Sequence, residues 1–183
     1  MKNLPNILTT IRFFLVPVFI FVYFKYEPWM ALIVFILAGF TDLLDGYIAR
    51  KKNLITDWGK VMDPLADKLM QVAVLFCLCI DGALPFFVLI IIVIKETIMV
   101  IGGAFLYKKR DIVVFSKIYG KIATALIFIG IVMTFFRQFL EPYNLYVIYA
   151  ALVLSIFSMF MYGVNTLLKK NGEPKEEKKD ITA

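Results

Sequence analysis

Two pairs of aspartates carry the most chemical information in this 183-residue chain. The first half reads Asp42-Leu-Leu-Asp45-Gly46-Tyr-Ile-Ala49-Arg50, and after eight residues the second reads Gly59-Lys-Val-Met-Asp63-Pro-Leu-Ala-Asp67. At 100° per residue, Asp42, Asp45, Gly46, Ala49 and Arg50 share one side of a helix, and Gly59, Asp63 and Asp67 recur every four residues on the next. Two such stripes face to face would converge four carboxylates. Unneutralised they would repel one another, whereas two divalent cations cancel four negative charges. Hard oxygen donors without histidine or cysteine nearby favour Mg²⁺ or Mn²⁺.

The residues between the acids fit a phosphorylated ligand. Gly46, Ala49 and Gly59 keep the walls of the stripes low, so that a substrate can approach closely. Arg50 suits a bidentate phosphate contact, and Thr56 offers a hydroxyl in the same connection. Together these point to a diphosphate. The chain has no histidine, so the simplest general base at neutral pH is a carboxylate, and Asp67, last in the motif, is the candidate. Pro64 either interrupts the helix or occupies its first position with Asp63 as cap. The bland alternative is a set of helix caps and interfacial acids paired with Lys60, Lys68 and Arg50. Eight fixed positions recur by chance at on the order of 10⁻¹⁰ per start site, which leaves that reading little room.

The elements that hold these groups are apolar. Hydrophobic residues make up 61% of the chain and aromatics 16%, with a mean hydropathy of +0.83, well beyond the soluble average of about 45–50% apolar. Apolar runs cover residues 7–24, 29–44, 64–80, 83–107, 118–136 and 145–168. We therefore expect an all-α polytopic membrane protein, with six transmembrane helices in one bundle. The second and third runs are short but extend into the acidic motif, which puts the motif near one membrane face. Seventeen of the 20 Lys and Arg fall on the side that holds both termini and the motif. By the positive-inside rule that side is cytoplasmic and the location is the cell membrane.

Residues 1–170 read as one six-helix domain and residues 171–183 as a polar, disordered tail. The first run is too long for a signal-peptide core and is expected to be retained. Pro5 sits near a helix start, with Asn6 or Thr9 able to cap backbone N–H groups, and Arg12 is expected to snorkel to the interface. Cys77 and Cys79 are read as small buried hydrophobes. Gly102, Gly103 and Ala104 offer a place for helices to approach. The net charge of +6 rims the spans, favouring anionic lipid over nucleic acid.

Asp42-x-x-Asp45-Gly46-x-x-Ala49-Arg50, then Gly59-x-x-x-Asp63-x-x-x-Asp67, resembles the signature of the CDP-alcohol phosphatidyltransferase family. The resemblance implies an enzyme that moves a phosphatidyl group from CDP-diacylglycerol to an alcohol and releases CMP. It implies two metals held by Asp42, Asp45, Asp63 and Asp67, with Asp67 as base. Asn6, Thr9, Gly46, Ala49, Arg50, Thr56 and Gly59 would lie at CDP-diacylglycerol, and a homodimer is expected.

The start Leu4-Pro5-Asn6-x-Leu8-Thr9-x-x-Arg12 and the run Asp63-Pro64-Leu65-Ala66-Asp67-Lys68 resemble the phosphatidylglycerophosphate synthase branch, whose acceptor is sn-glycerol 3-phosphate. That branch tends to carry Gly-Lys-x-Lys-Thr-x-x-Gln near the fifth span. The stretch here runs from Gly120 to Ile127 and lacks the second Lys and the Gln. Cardiolipin synthesis, with phosphatidylglycerol as acceptor, is the alternative within the family. An intramembrane prenyltransferase or a cation transporter would be the alternatives from other classes. For a phosphorylated acceptor the candidate cations are Lys95, Arg110, Lys117 and Lys121, with Lys95 beside Glu96.

Overall fold

The computed structural model describes residues 4–52, 57–110 and 118–172, and side chains within 9–41, 62, 65–102 and 118–161. Seven helices are present and no strand among the described residues: α1 (Leu4–Lys25), α2 (Pro28–Lys52), α3 (Asp57–Ile80), α4 (Phe86–Arg110), α5 (Ile118–Phe135), α6 (Arg137–Leu140) and α7 (Tyr143–Gly172). The six long helices fall on the six apolar runs. The seventh, α6, is a single turn that the hydropathy pattern does not mark. Among the described residues, the stretches Ile118–Phe135 and Tyr143–Met161 are long and apolar enough to cross a membrane. Only 28% of each is buried inside the protein, unlike a core helix of a soluble fold. Phe14, Phe21, Ile33, Phe40, Ile94, Val153 and Phe160 are all exposed, an outward apolar surface that suits lipid contact and not water.

Local sequence explains the helix ends. Pro28 opens α2, where a missing N–H costs nothing. Gly82, with φ 69°, ends α3 in a left-handed turn. Its N–H donates to the Cys79 carbonyl (3.1 Å) and that of Ala83 to the Leu78 carbonyl (2.9 Å), which closes a Schellman motif. Pro64 lies inside α3 and not at its start, because the helix begins at Asp57. Having no N–H, it leaves one carbonyl of the preceding turn outside the helical ladder. Helix α7 runs two residues past the expected end of the bundle to Gly172. The tail beyond it lies outside the described residues.

Helix α1 packs on α2 and α3, α5 packs on α7, and α4 leans on α3 and α7. Phe19, Leu32, Val74, Leu75, Leu78, Val88, Ile92, Ile127, Ile131 and Ile148 belong to one continuous core. Cys77 and Cys79 are buried free thiols within it. At the end opposite the motif, Arg137 Nη2 pairs with Asp81 Oδ2 at 3.0 Å, tying α6 to the α3–α4 turn. Asn144 Nδ2 donates to Thr134 Oγ1 at 3.4 Å, joining α7 to α5.

Close helix approach occurs at Gly130 and not at Gly102. A Cβ on Gly130 would stand 2.5 Å from Ile148 Cγ1, whereas one on Gly102 would meet nothing within 4 Å. Gly103 and Ala104 have side-chain positions outside those described. Small residues admit a neighbour only where the topology brings one, and among the described residues none stands beside Gly102. Gly130→Val is expected to force α5 from α7 and to cost about 1–3 kcal/mol, as overpacking does, seen as a lower Tm in detergent. Gly102→Ala, in open space and with better helix propensity, is expected to leave Tm unchanged or raised.

Candidate functional site

A cavity of about 1050 Å³ opens among the helices, lined by residues of α1, α2, α3, α4, α5 and α7. Its polar wall comes from Arg12, Asp67, Lys68, Gln71, Lys95, Glu96 and Lys121. Its apolar wall includes Phe35, Met70, Phe128 and Ile131. Phe128 stacks on Phe35 with ring centroids 4.8 Å apart. A Cβ on Gly39 would stand 3.2 Å from the Phe128 ring, so the glycine lets that ring lie against α2.

The charges of this wall are organised around Glu96. Its Oε1 accepts from Lys95 Nζ at 2.6 Å and from Lys68 Nζ at 3.2 Å. Lys68 Nζ also lies 3.9 Å from Asp67 Oδ2. Lys95 and Glu96 are shielded, their side chains 14% and 13% exposed, while Asp67 is 44% exposed. Low local dielectric demands such pairing of groups drawn from water. Asp67, Lys68, Lys95 and Glu96 form one linked set of charges on the described wall, which Arg12 and Lys121 also line.

The expected site residues are distributed as follows. Asp67, Lys95 and Lys121 line the one cavity. Asp42, Asp45, Gly46, Ala49 and Arg50 belong to α2, and Gly59 and Asp63 to α3, with side chains outside those described. Register still places them. Positions 42 and 45 follow Ala38, a cavity-lining residue, by four and seven, and so share its face of α2. Positions 59 and 63 precede Asp67 by eight and four on α3. Asn6 lies in the first turns of α1, its side chain outside those described. Thr9 is fully buried on α1 and is not among the residues that line the cavity. Thr56 and Lys117 lie outside the described residues. Arg110 is the last residue of α4, about 22 Å of helix rise from Lys95. The two therefore belong to different levels of the bundle.

Arg12 departs from the interfacial position expected of it. It is 1% exposed and lines the cavity. Lys68 belongs to the run that resembles the glycerol-phosphate branch, whereas Gln71 carries no motif signal beyond its spacing after Asp67. Gln71 could have been found by extending the every-fourth-residue stripe one step further.

Among the described residues no three His, Cys, Asp or Glu side chains gather at one point. The fit of a metal therefore rests on donor chemistry. Four carboxylates at helical spacing, in a chain without histidine and with its cysteines buried in the core, form a hard oxygen set suited to Mg²⁺ or Mn²⁺.

Sequence comparisons agree with the motif. The pattern of the CDP-alcohol phosphatidyltransferase family matches residues 2–157. A CDP-diacylglycerol–glycerol-3-phosphate 3-phosphatidyltransferase of Rickettsia typhi is 48% identical over 73 residues, covering 38% of this chain and 41% of that protein. The chain thus spans about two fifths of that relative's length. One of the same name from Haemophilus influenzae is 31% identical over 169 residues, covering 87% of this chain and 91% of its own. A cardiolipin synthase (CMP-forming) of Oryza sativa is 47% identical over 80 residues, covering 42% and 24%. A cavity that joins the last motif aspartate to a cationic wall, a complete motif and near full-length similarity lead to one assignment: the chain belongs to the CDP-alcohol phosphatidyltransferase family.

Proposed function

We propose that this protein transfers the phosphatidyl group of CDP-diacylglycerol to sn-glycerol 3-phosphate, giving phosphatidylglycerophosphate and CMP. The observation that carries the reading is the cavity shared by Asp67, Lys95 and Lys121. A phosphate monoester near neutral pH carries about −1.5 to −2 charge, which Lys95 and Lys121 can face. Family membership speaks against the prenyltransferase and transporter readings.

In this reading Asp42, Asp45, Asp63 and Asp67 hold the divalent cations, whose bound form would offset the charge of the diphosphate. Asn6, Thr9, Gly46, Ala49, Arg50, Thr56 and Gly59 bind CDP-diacylglycerol in this reading. Asp67 accepts the proton of the acceptor hydroxyl. The resulting alkoxide attacks the lipid-linked phosphorus, a new P–O bond forms, and the P–O bond to CMP breaks with its electron pair leaving on CMP. No covalent enzyme intermediate is needed. Lys121 and Lys95 orient the acceptor phosphate, and Glu96 holds Lys95 in place. The proposal includes six membrane passes in residues 1–170, with both termini and the motif at the cytoplasmic face, and a homodimer.

One observation favours the second reading, cardiolipin synthesis with phosphatidylglycerol as acceptor. Ala123 and Ile127, which stand where the glycerol-phosphate branch tends to carry Lys and Gln, are both buried and line the cavity. This makes the α5 wall more apolar, as a lipid acceptor would require.

Asp67→Asn is expected to lower turnover about 10³-fold or more, the scale of a lost general base, while CDP-diacylglycerol binding by the purified protein persists. A rate near wild type would contradict the assigned role. Lys121→Ala is expected to raise the acceptor KM about tenfold or more, as loss of a charge-assisted hydrogen bond does, and to change the CDP-diacylglycerol KM far less. Steady-state CMP release against each substrate separates the two effects; equal changes in both would argue against an acceptor-phosphate role.

A further inference from the structure

Two polar side chains of the cavity wall have no role in the reaction described above. Gln71 of α3 is 8% exposed and Ser155 of α7 is 2% exposed, and both line the cavity. Among the described residues neither Gln71 Nε2 nor Ser155 Oγ has a hydrogen-bond partner. Buried polar groups are almost always satisfied, and leaving one unpaired is costly. Two on one cavity wall mark a place that a ligand or a water completes.

Register gives the level of Gln71. Gln71 follows Asp67 by four residues on α3, on the same face and about 6 Å further from the motif end. On α3 the charged Asp67 and Lys68 lie on the motif side of Gln71, and the buried apolar Val74 and Leu75 lie beyond it. Gln71 thus stands where the wall changes from charged to apolar. A ligand that crosses this level has a charged head and an apolar body. An amide N–H donates, so the ligand must present an acceptor there. In a diacylglycerol lipid, the groups between phosphate and acyl chain that accept hydrogen bonds are the ester carbonyls, within one glycerol unit of the phosphate.

We propose that Gln71 and Ser155 donate hydrogen bonds to the acyl ester carbonyls of the lipid substrate, so that they select ester-linked over ether-linked lipid. The inference rests on the reading that the cavity receives CDP-diacylglycerol. It adds a determinant of lipid-linkage selectivity on the wall of α3 and α7, separate from the aspartate motif.

The test measures Kd, without acceptor, of the full-length protein in detergent for CDP-diacylglycerol and for a chain-matched CDP-dialkylglycerol ether. Wild type, Gln71→Met and Ser155→Ala are compared, and CMP release is measured separately. Wild type is expected to bind the ester lipid about 25-fold more tightly, the size of two net neutral hydrogen bonds. Gln71→Met is expected to weaken ester binding about fivefold and to leave ether binding unchanged. Ser155→Ala is expected to lower the same ratio, and it decides the matter if Gln71→Met does not fold. Equal binding of the two lipids by wild type, as a bound water bridging these groups would give, overturns the proposal. So does an ester preference that survives both substitutions. CMP release without ester selectivity would overturn this inference and leave phosphatidyl transfer standing. Ester-selective binding lost on substitution, without CMP release, would do the reverse, and failure to bind either lipid would remove both.

Discussion

The acceptance of two lysines by one carboxylate governs the arrangement of the polar wall. Lys95 and Glu96 are adjacent on α4, a helix that among the described residues leans on α3 and α7, and α4 exposes Ile90, Ile94 and Ile98 to its surroundings. The contact of Lys68 with Glu96 at 3.2 Å joins α4 to the helix that carries Asp67. An ion in an apolar bundle must be matched by a counter-charge or pushed to the surface. Here the matching brings the last motif aspartate and a cation of the proposed acceptor pocket to the same wall.

Helical register does the remaining positioning. The two halves of the motif lie on α2 and α3, helices that pack against each other, and each half continues a face that already lines the cavity. On α2 that face carries Phe35, Ala38 and Gly39, and on α3 it carries Asp67 and Gln71. Such a wall grades from carboxylate through amide to hydrocarbon within a few turns. A lipid diphosphate has the same gradation, from charged head through ester to acyl chain. The rigid core beneath, from Phe19 and Val74 to Ile131 and Ile148, resists the helix shifts that would blur that match.

Much of this is legible in the sequence because it depends on period and composition alone. The six apolar runs become the six long helices, the cysteines are core, and the aspartate spacing leads directly to the family. What depends on which helix stands beside which is not legible. Arg12 reads as an interfacial cation until the cavity behind it is seen. Gly102 and Gly130 are equally small, yet only Gly130 faces a neighbour, Ile148. The single turn α6 follows from the return of the chain and from the Arg137–Asp81 pair, not from hydropathy. Pro64 could open a helix or interrupt one, and the start of α3 at Asp57 decides it. Gln71 and Ser155 gain meaning only from lining one space.

The central claim is that the lysines of the cavity serve a small phosphorylated acceptor. The most direct measurement is CMP release by the purified protein with CDP-diacylglycerol and Mg²⁺ or Mn²⁺, comparing sn-glycerol 3-phosphate, phosphatidylglycerol, inositol phosphate and serine. The account predicts release with sn-glycerol 3-phosphate and not with the others. Release with phosphatidylglycerol alone would contradict it, and would assign the apolar wall at Ala123 and Ile127 to a lipid acceptor.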